Sequence, residues 1–152
     1  MRSFAIWIGW VLLCFAAALT GLVAPPGDWY AGLDKPPWTP PNWLFGPVWT
    51  ALYLMMGTAA WLVWRKGWTR VRGALICFLA QLALNAAWTP LFFGAHAMLA
   101  ALVCIAAMWC AILVTIFAFR RHDRRAALLL VPYLLWVTLA TALNFELWRL
   151  NG

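Results

Sequence analysis

The chain has 152 residues, 66% of them hydrophobic and 10% charged, with 11 Lys and Arg against 4 Asp and Glu. So little polar surface cannot cover a soluble domain of this size, which excludes an ordinary soluble protein and predicts a polytopic membrane protein. The net charge of +7 reads as a topology signal rather than a nucleic-acid surface, because the basic residues form short clusters hard against the ends of apolar runs.

Five apolar runs, about 4–24, 44–64, 73–93, 97–119 and 126–148, set the expected elements. Each is near the ~20 residues that cross a ~30 Å hydrocarbon core. Strands of a membrane barrel would be about half as long and would alternate. The expectation is therefore all-α: an integral membrane bundle of five transmembrane helices, organised as one domain over 1–152.

The first run follows Arg2 and holds Ala16, Ala17 and Ala18, as a secretory signal would. It outruns the ~7–15 residue apolar region of a signal peptide, carries Trp7 and Trp10, and lacks a polar cleavage region, so a retained helix is expected. The loop 25–43 comes next, with Trp29, Trp38 and Trp43 among Pro36, Pro37, Pro40 and Pro41. Prolines end helices and stiffen the chain, and indoles offer flat faces. The composition predicts a rigid aromatic lid over the bundle, suited to a flat, apolar molecule.

In the second run Trp49, Tyr53 and Met56 share a face, with Gly57 at its edge. In the third, Gln81, Asn85, Trp88 and Phe92 recur at helical spacing and form one stripe. A polar stripe in hydrocarbon must find partners or line a cavity. Pocket lining is expected, and simple bonding between helices is the alternative. Ala80, Ala83 and Ala87, with Ile76, fall on nearly the opposite stripe, where another helix can approach closely. That stripe is the expected contact of a parallel homodimer. The fourth run has a similar seam, Ala100, Cys104, Ala107, Ala111 and Thr115, so the dimer face stays open between third and fourth helices. In the fifth, Leu134, Thr138, Thr141, Phe145 and Trp148 share a face. Pro90 and Pro132 permit bends.

Basic residues orient the bundle. Arg2, Arg65, Lys66, Arg70, Arg72, Arg120, Arg121, Arg124 and Arg125 fall at one end, and only Lys35 and Arg149 at the other. The positive-inside rule places the N-terminus in the cytoplasm and the lid outside. Cys14, Cys77, Cys104 and Cys110 lie within the runs without paired spacing and are expected as buried thiols. His96 and His122 sit at opposite ends, and no metal-ligating or phosphate-loop motif is present. No metal site is expected. Glu146, three residues before Arg149, is expected in an ion pair.

Three segments carry a resemblance. The first is Trp38-x-Pro-Pro-x-Trp43-x-Phe45-x-Pro47-Val48-Trp49. The second runs from Gln81 through Asn85, Trp88 and Pro90 to Gly94. The third is Pro132-Tyr133-Leu-Leu-Trp136, continuing to Asn144-Phe145-Glu146-Leu147-Trp148-Arg149. With Asp28-Trp29-Tyr30 and Lys35-Pro36, nearly the whole chain resembles the tryptophan-rich sensory protein / translocator protein (TspO/MBR, peripheral benzodiazepine receptor) family, bacterial type.

The resemblance implies a five-helix bundle, commonly a homodimer, that binds porphyrins and related tetrapyrroles. It also implies synthetic isoquinoline and benzodiazepine ligands. The pocket under the first loop would include Tyr30, Trp38, Pro41, Trp49, Asn85, Phe92, Trp136, Ala140 and Leu143, beside the Tyr53, Gln81 and Trp88 already singled out. The expected function is transport or regulation of tetrapyrrole levels. The ligand would be protoporphyrin IX or haem, with Lys35 or Arg149 near its propionates and no obligatory cofactor. The alternative is enzyme-like, light-dependent degradation of protoporphyrin IX, with Trp49 and Trp136 as redox partners. The expected location is a bacterial inner membrane, with the outer membrane as the alternative. In the family's animal cholesterol motif a tyrosine stands where this chain has Phe145, so cholesterol is not the expected ligand.

Overall fold

The computed structural model describes residues 1–152 and is built from helices alone. Seven α-helices, α1 (Arg2–Ala18), α2 (Thr20–Val23), α3 (Asp28–Ala31), α4 (Asn42–Trp64), α5 (Trp68–Thr89), α6 (Met98–Arg120) and α7 (Arg124–Asn151), are joined by a π-helical turn, Pro90–Gly94. Five segments are long and apolar enough to cross a membrane: Arg2–Val23, Asn42–Trp64, Trp68–Gly94, Met98–Arg120 and Arg124–Asn151. Around the bundle α5 packs on α6, α6 on α7, α7 on α4 and α4 on α1, while α1 closes the ring against α5.

The helix ends depart from the apolar runs for physical reasons. The third helix begins at Trp68 rather than near 73, and the fifth spans 124–151 rather than 126–148. Hydropathy registers only the apolar part of a helix, whereas Arg and Trp at its ends continue the backbone while their polar tips reach the interface. Asp123 starts α7 by accepting hydrogen bonds from the backbone N–H of Arg125 at 2.9 Å and of Ala126 at 3.3 Å, as an N-cap should. The first span breaks at Leu19 and ends before Pro25 and Pro26. The expected irregular lid contains the short helix α3. Pro90 cannot donate a backbone hydrogen bond, and α5 widens there into the π-turn.

The main core contains Cys14, Met56, Phe78, Met108, Phe119 and Tyr133 among its buried members. Gly57 sets the approach of α1 to α4. A Cβ there would lie 2.6 Å from the Cα of Val11, so a larger residue would push the helices apart. The indole N–H of Trp7 donates to Thr58 Oγ1 at 3.0 Å, a further link between α1 and α4. The fourth-helix seam is split. Cys104 and Thr115 are buried, whereas Ala100 and Ala107 face outward. The thiols are free, but not all are buried: Cys110 is exposed and Cys77 half-buried.

Candidate functional site

The Gln81 and Asn85 stripe lands at the centre of the bundle. Gln81 is 1% exposed, Asn85 4%, Tyr53 6% and Tyr133 0%. Polar atoms at that depth need partners, and these four side chains form a directed chain across α4, α5 and α7. The Tyr53 hydroxyl donates to Asn85 Oδ1 at 2.8 Å, and Asn85 Nδ2 donates to the Tyr133 oxygen at 2.9 Å. Tyr133 in turn donates to Gln81 Oε1 at 2.8 Å, with Met108 Sδ at 3.5 Å as a second acceptor. Two buried donors have no partner: Gln81 Nε2 and the indole N–H of Trp136.

An aromatic wall stands on the lid side of this chain. Trp49 stacks on Tyr53 with centroids 5.5 Å apart and meets Tyr133 edge-on at 6.2 Å. One turn nearer the lid, Phe45 meets Trp136 edge-on at 5.6 Å. Because α4 and α7 run antiparallel, the spacing Phe45/Trp49 on one helix faces Trp136/Tyr133 on the other.

A second cluster lies directly under the loop. Tyr30 on α3 packs with Phe92, Ala101, Leu143 and Leu147. Trp88 stacks on Phe92 at 5.4 Å and touches both clusters. Its indole donates to Asn144 Oδ1 at 3.0 Å, and Asn144 Nδ2 donates to the Met98 carbonyl at 3.0 Å. Trp29 lies flat on His96 at 4.0 Å. His96 takes φ +52°, the left-handed region that non-glycine residues rarely adopt. It turns the chain out of the π-helix and sets its ring under the indole.

The loop has few tethers. Asn151 accepts from the Asp34 backbone N–H and donates to the Asp34 carbonyl, both at 2.9 Å. Lys35 Nζ donates to the carbonyls of Ala31 and Leu33 at 3.2 Å and lies 4.7 Å over the Tyr30 ring. The two cations considered for an anionic ligand are thus engaged, since Arg149 holds Glu146 at 2.6 Å.

The residues singled out from the sequence therefore fall into separate places. Trp49, Tyr53, Gln81, Asn85 and Trp136 gather at the buried chain, while Tyr30, Trp88, Phe92 and Leu143 gather under α3. Ala140 is half-buried on α7, and Trp38 and Pro41 are exposed on the loop. Ala80, Ala83 and Ala87 face away from the bundle. The fifth-helix face read from the sequence points outward too: Thr138, Thr141 and Phe145 border a groove of about 510 Å³ against α6. Phe45, Tyr133 and Asn144 are members not singled out as site residues. The signal for the last two lay in the fifth helix, since Tyr133, Val137, Ala140 and Asn144 repeat the spacing of Gln81, Asn85, Trp88 and Phe92.

Five membrane-length helices, a loop helix seated on aromatics and a buried polar chain define a multi-pass α-helical membrane protein with an internal aromatic site. The sequence matches the TspO/MBR family over residues 10–149, and the chain belongs to that family. It is 43% identical to the tryptophan-rich sensory protein of Cereibacter sphaeroides, over 98% of this chain and 93% of that protein. It is 45% identical to the tryptophan-rich protein TspO of Chlorobaculum tepidum, over 98% and 96%. With the human translocator protein it shares 46% identity over 81% of this chain and 75% of that one.

Proposed function

We propose that this protein binds a tetrapyrrole of the protoporphyrin IX or haem type between α4, α5 and α7, beneath the first loop, and moves it or reports its level at the membrane. The observation that carries this reading is the unpartnered indole N–H of Trp136, whose ring meets Phe45 one turn along α4 from the stacked Trp49 and Tyr53. A buried donor without an acceptor costs free energy, and a planar ligand with carboxylate or ring-nitrogen acceptors would relieve it while stacking on the indoles. Membership of a family whose relatives are named sensory and translocator proteins supports the transport or sensory role. Phe92 is 1% exposed and Tyr30 6%, so entry requires α3 to lift from the π-turn. Fluorescence quenching of the purified protein by a panel of porphyrins tests the proposal. Saturable quenching by protoporphyrin supports it, and quenching that rises linearly with concentration counts against it.

A second reading is favoured by the Trp49–Tyr53–Tyr133 contacts. Three oxidisable rings in succession suit Trp49, with Trp136 across from Phe45 as a second candidate, as redox partners of a light-excited protoporphyrin degraded by dioxygen. Product analysis in light and in darkness separates the two: light-dependent loss of porphyrin that Trp49→Phe abolishes supports degradation.

The outward stripe of Ala80, Ala83 and Ala87 is the surface we assign to a parallel homodimer, because small residues let backbones approach. The nine basic residues at one end support a cytoplasmic location for that end, in a bacterial inner membrane on this reading. Labelling of a cysteine introduced at Trp38 only from the cytoplasmic side would reverse the orientation.

A further inference from the structure

The end of the bundle opposite the loop carries a cleft of about 490 Å³ that the tetrapyrrole reading does not use. Its polar lining is Arg65, Lys66, His122, Asp123, Arg124 and Arg125. Four cations and one carboxylate give it an excess of three positive charges with His122 neutral. The two contributing turns, α4–α5 and α6–α7, are far apart in sequence. They are drawn together by an ion pair, Lys66 Nζ to Asp123 Oδ2 at 3.5 Å.

That ion pair does not neutralise the cleft. Asp123 is already occupied by Lys66 and by the first backbone N–H groups of α7. Burial raises its pKa, but the hydrogen bonds from Ala126 and Arg125 and the Lys66 charge outweigh this and hold the carboxyl below its usual range. It therefore stays anionic and committed. Arg65, Arg124 and Arg125 have no carboxylate partner, since the ion pairs of the molecule are Lys66–Asp123 and Arg149–Glu146. Arg65 is held in place, with its guanidinium 4.8 Å from the Trp61 ring.

Orientation in the membrane explains basic residues at this end but not their convergence. Arg70, Arg72, Arg120 and Arg121 satisfy the positive-inside rule without lining the cleft. The cleft also lies where the apolar spans stop, between the end of α4 at Trp64 and the start of α7 at Arg124. Trp64 and Trp68, with rings 5.7 Å apart, mark the same end of the bundle as interfacial aromatics do. Unpaired guanidiniums at headgroup depth match phosphate, which they can grip through two hydrogen bonds at once.

We propose that this cleft binds the phosphate of an anionic phospholipid headgroup. The site is separate from the aromatic cluster and independent of the tetrapyrrole reading.

The test uses the full-length protein in neutral detergent, with phosphatidylglycerol and phosphatidylcholine as probes and native mass spectrometry as readout. The double variant Arg124→Gln/Arg125→Gln removes cleft charge. Arg70→Gln/Arg72→Gln removes the same charge from the same end and is the control. Retention of phosphatidylglycerol over phosphatidylcholine is expected for the wild type and the control. The cleft variant should lose about tenfold or more in retention, since each cation near a headgroup contributes roughly fivefold. Equal loss in both double variants, or no preference between the lipids, overturns the proposal. Competition by millimolar inorganic phosphate without lipid retention also overturns it, in favour of a soluble phosphate ester. If the cleft variant does not fold, Arg65→Gln read the same way decides the matter.

Discussion

The buried chain from Tyr53 to Gln81 and the cluster under α3 are both aromatic, yet they are held by different forces. The first is fixed by three directional hydrogen bonds among side chains on three helices. In the second, Trp88, Asn144 and Met98 are hydrogen-bonded beneath the loop, but α3 itself is held by ring packing and by two tethers, Lys35 and the Asp34–Asn151 pair. Hydrogen bonds in a medium of low dielectric are costly to break, while a four-residue helix resting on aromatic faces has little to hold it once the tethers release. In the proposed binding mode, α4, α5 and α7 form the rigid floor of the site and α3 the cover that lifts.

The largest effect should come from breaking the floor. Asn85→Leu removes both bonds of the central amide and leaves the Tyr53 hydroxyl without its acceptor. A loss of about 1–3 kcal/mol is expected for an unsatisfied buried group. Thermal unfolding in detergent should show a clear fall in midpoint, and an unchanged midpoint would mean the chain is not what joins these helices.

A smaller effect is expected at the wall. Trp49→Ala should weaken protoporphyrin binding by about 0.5–1.5 kcal/mol beyond lost area, or roughly threefold to tenfold. Trp7→Ala should leave affinity unchanged, because Trp7 bonds Thr58 on the far side of α4. The two variants are titrated at matched folding, checked by circular dichroism, and equal affinities would move the ligand away from Trp49.

The cover should be the least sensitive in stability and the most visible in kinetics. Asn151→Ala deletes the reciprocal pair with Asp34 at an exposed position, so a cost near or below ~1 kcal/mol is expected. Stopped-flow quenching should show faster porphyrin association, and an unchanged rate would mean α3 does not gate the site. Outside both regions, Ala83→Leu should weaken the proposed homodimer in cross-linking. An intact dimer there, with disruption by bulk at Ala107, would move the interface to α6.

Much of this arrangement was legible in the chain. The five spans follow from hydropathy, and the spacing of Gln81, Asn85, Trp88 and Phe92 placed a polar stripe on one face of the third helix. What that stripe touches was not legible. Asn85 on α5 bonds Tyr53 on α4 and Tyr133 on α7, about thirty residues before and fifty after it, and how these three helices face one another is encoded in no local pattern. The ordered helix within a proline-rich loop was hidden for a similar reason. Asp28–Ala31 is too short to declare itself by periodicity and is stabilised by Phe92 and Phe93 from the π-turn. Spacing put Thr138 and Phe145 on one face of the fifth helix, but only the packing shows that this face points outward.

The indole N–H of Trp136 tests the central claim most directly, because it is buried, it lacks a partner, and phenylalanine can replace the ring without it. Protoporphyrin titration of Trp136→Phe against wild type, with thermal unfolding of both, separates ligand recognition from folding. Unfolding should be unaffected or slightly improved, since the lost donor satisfies nothing within the protein. Affinity should fall by about fivefold to a hundredfold, corresponding to ~1–3 kcal/mol for a buried hydrogen bond to the ligand. Equal affinity of the two proteins, both folded, would contradict a tetrapyrrole site at Trp136.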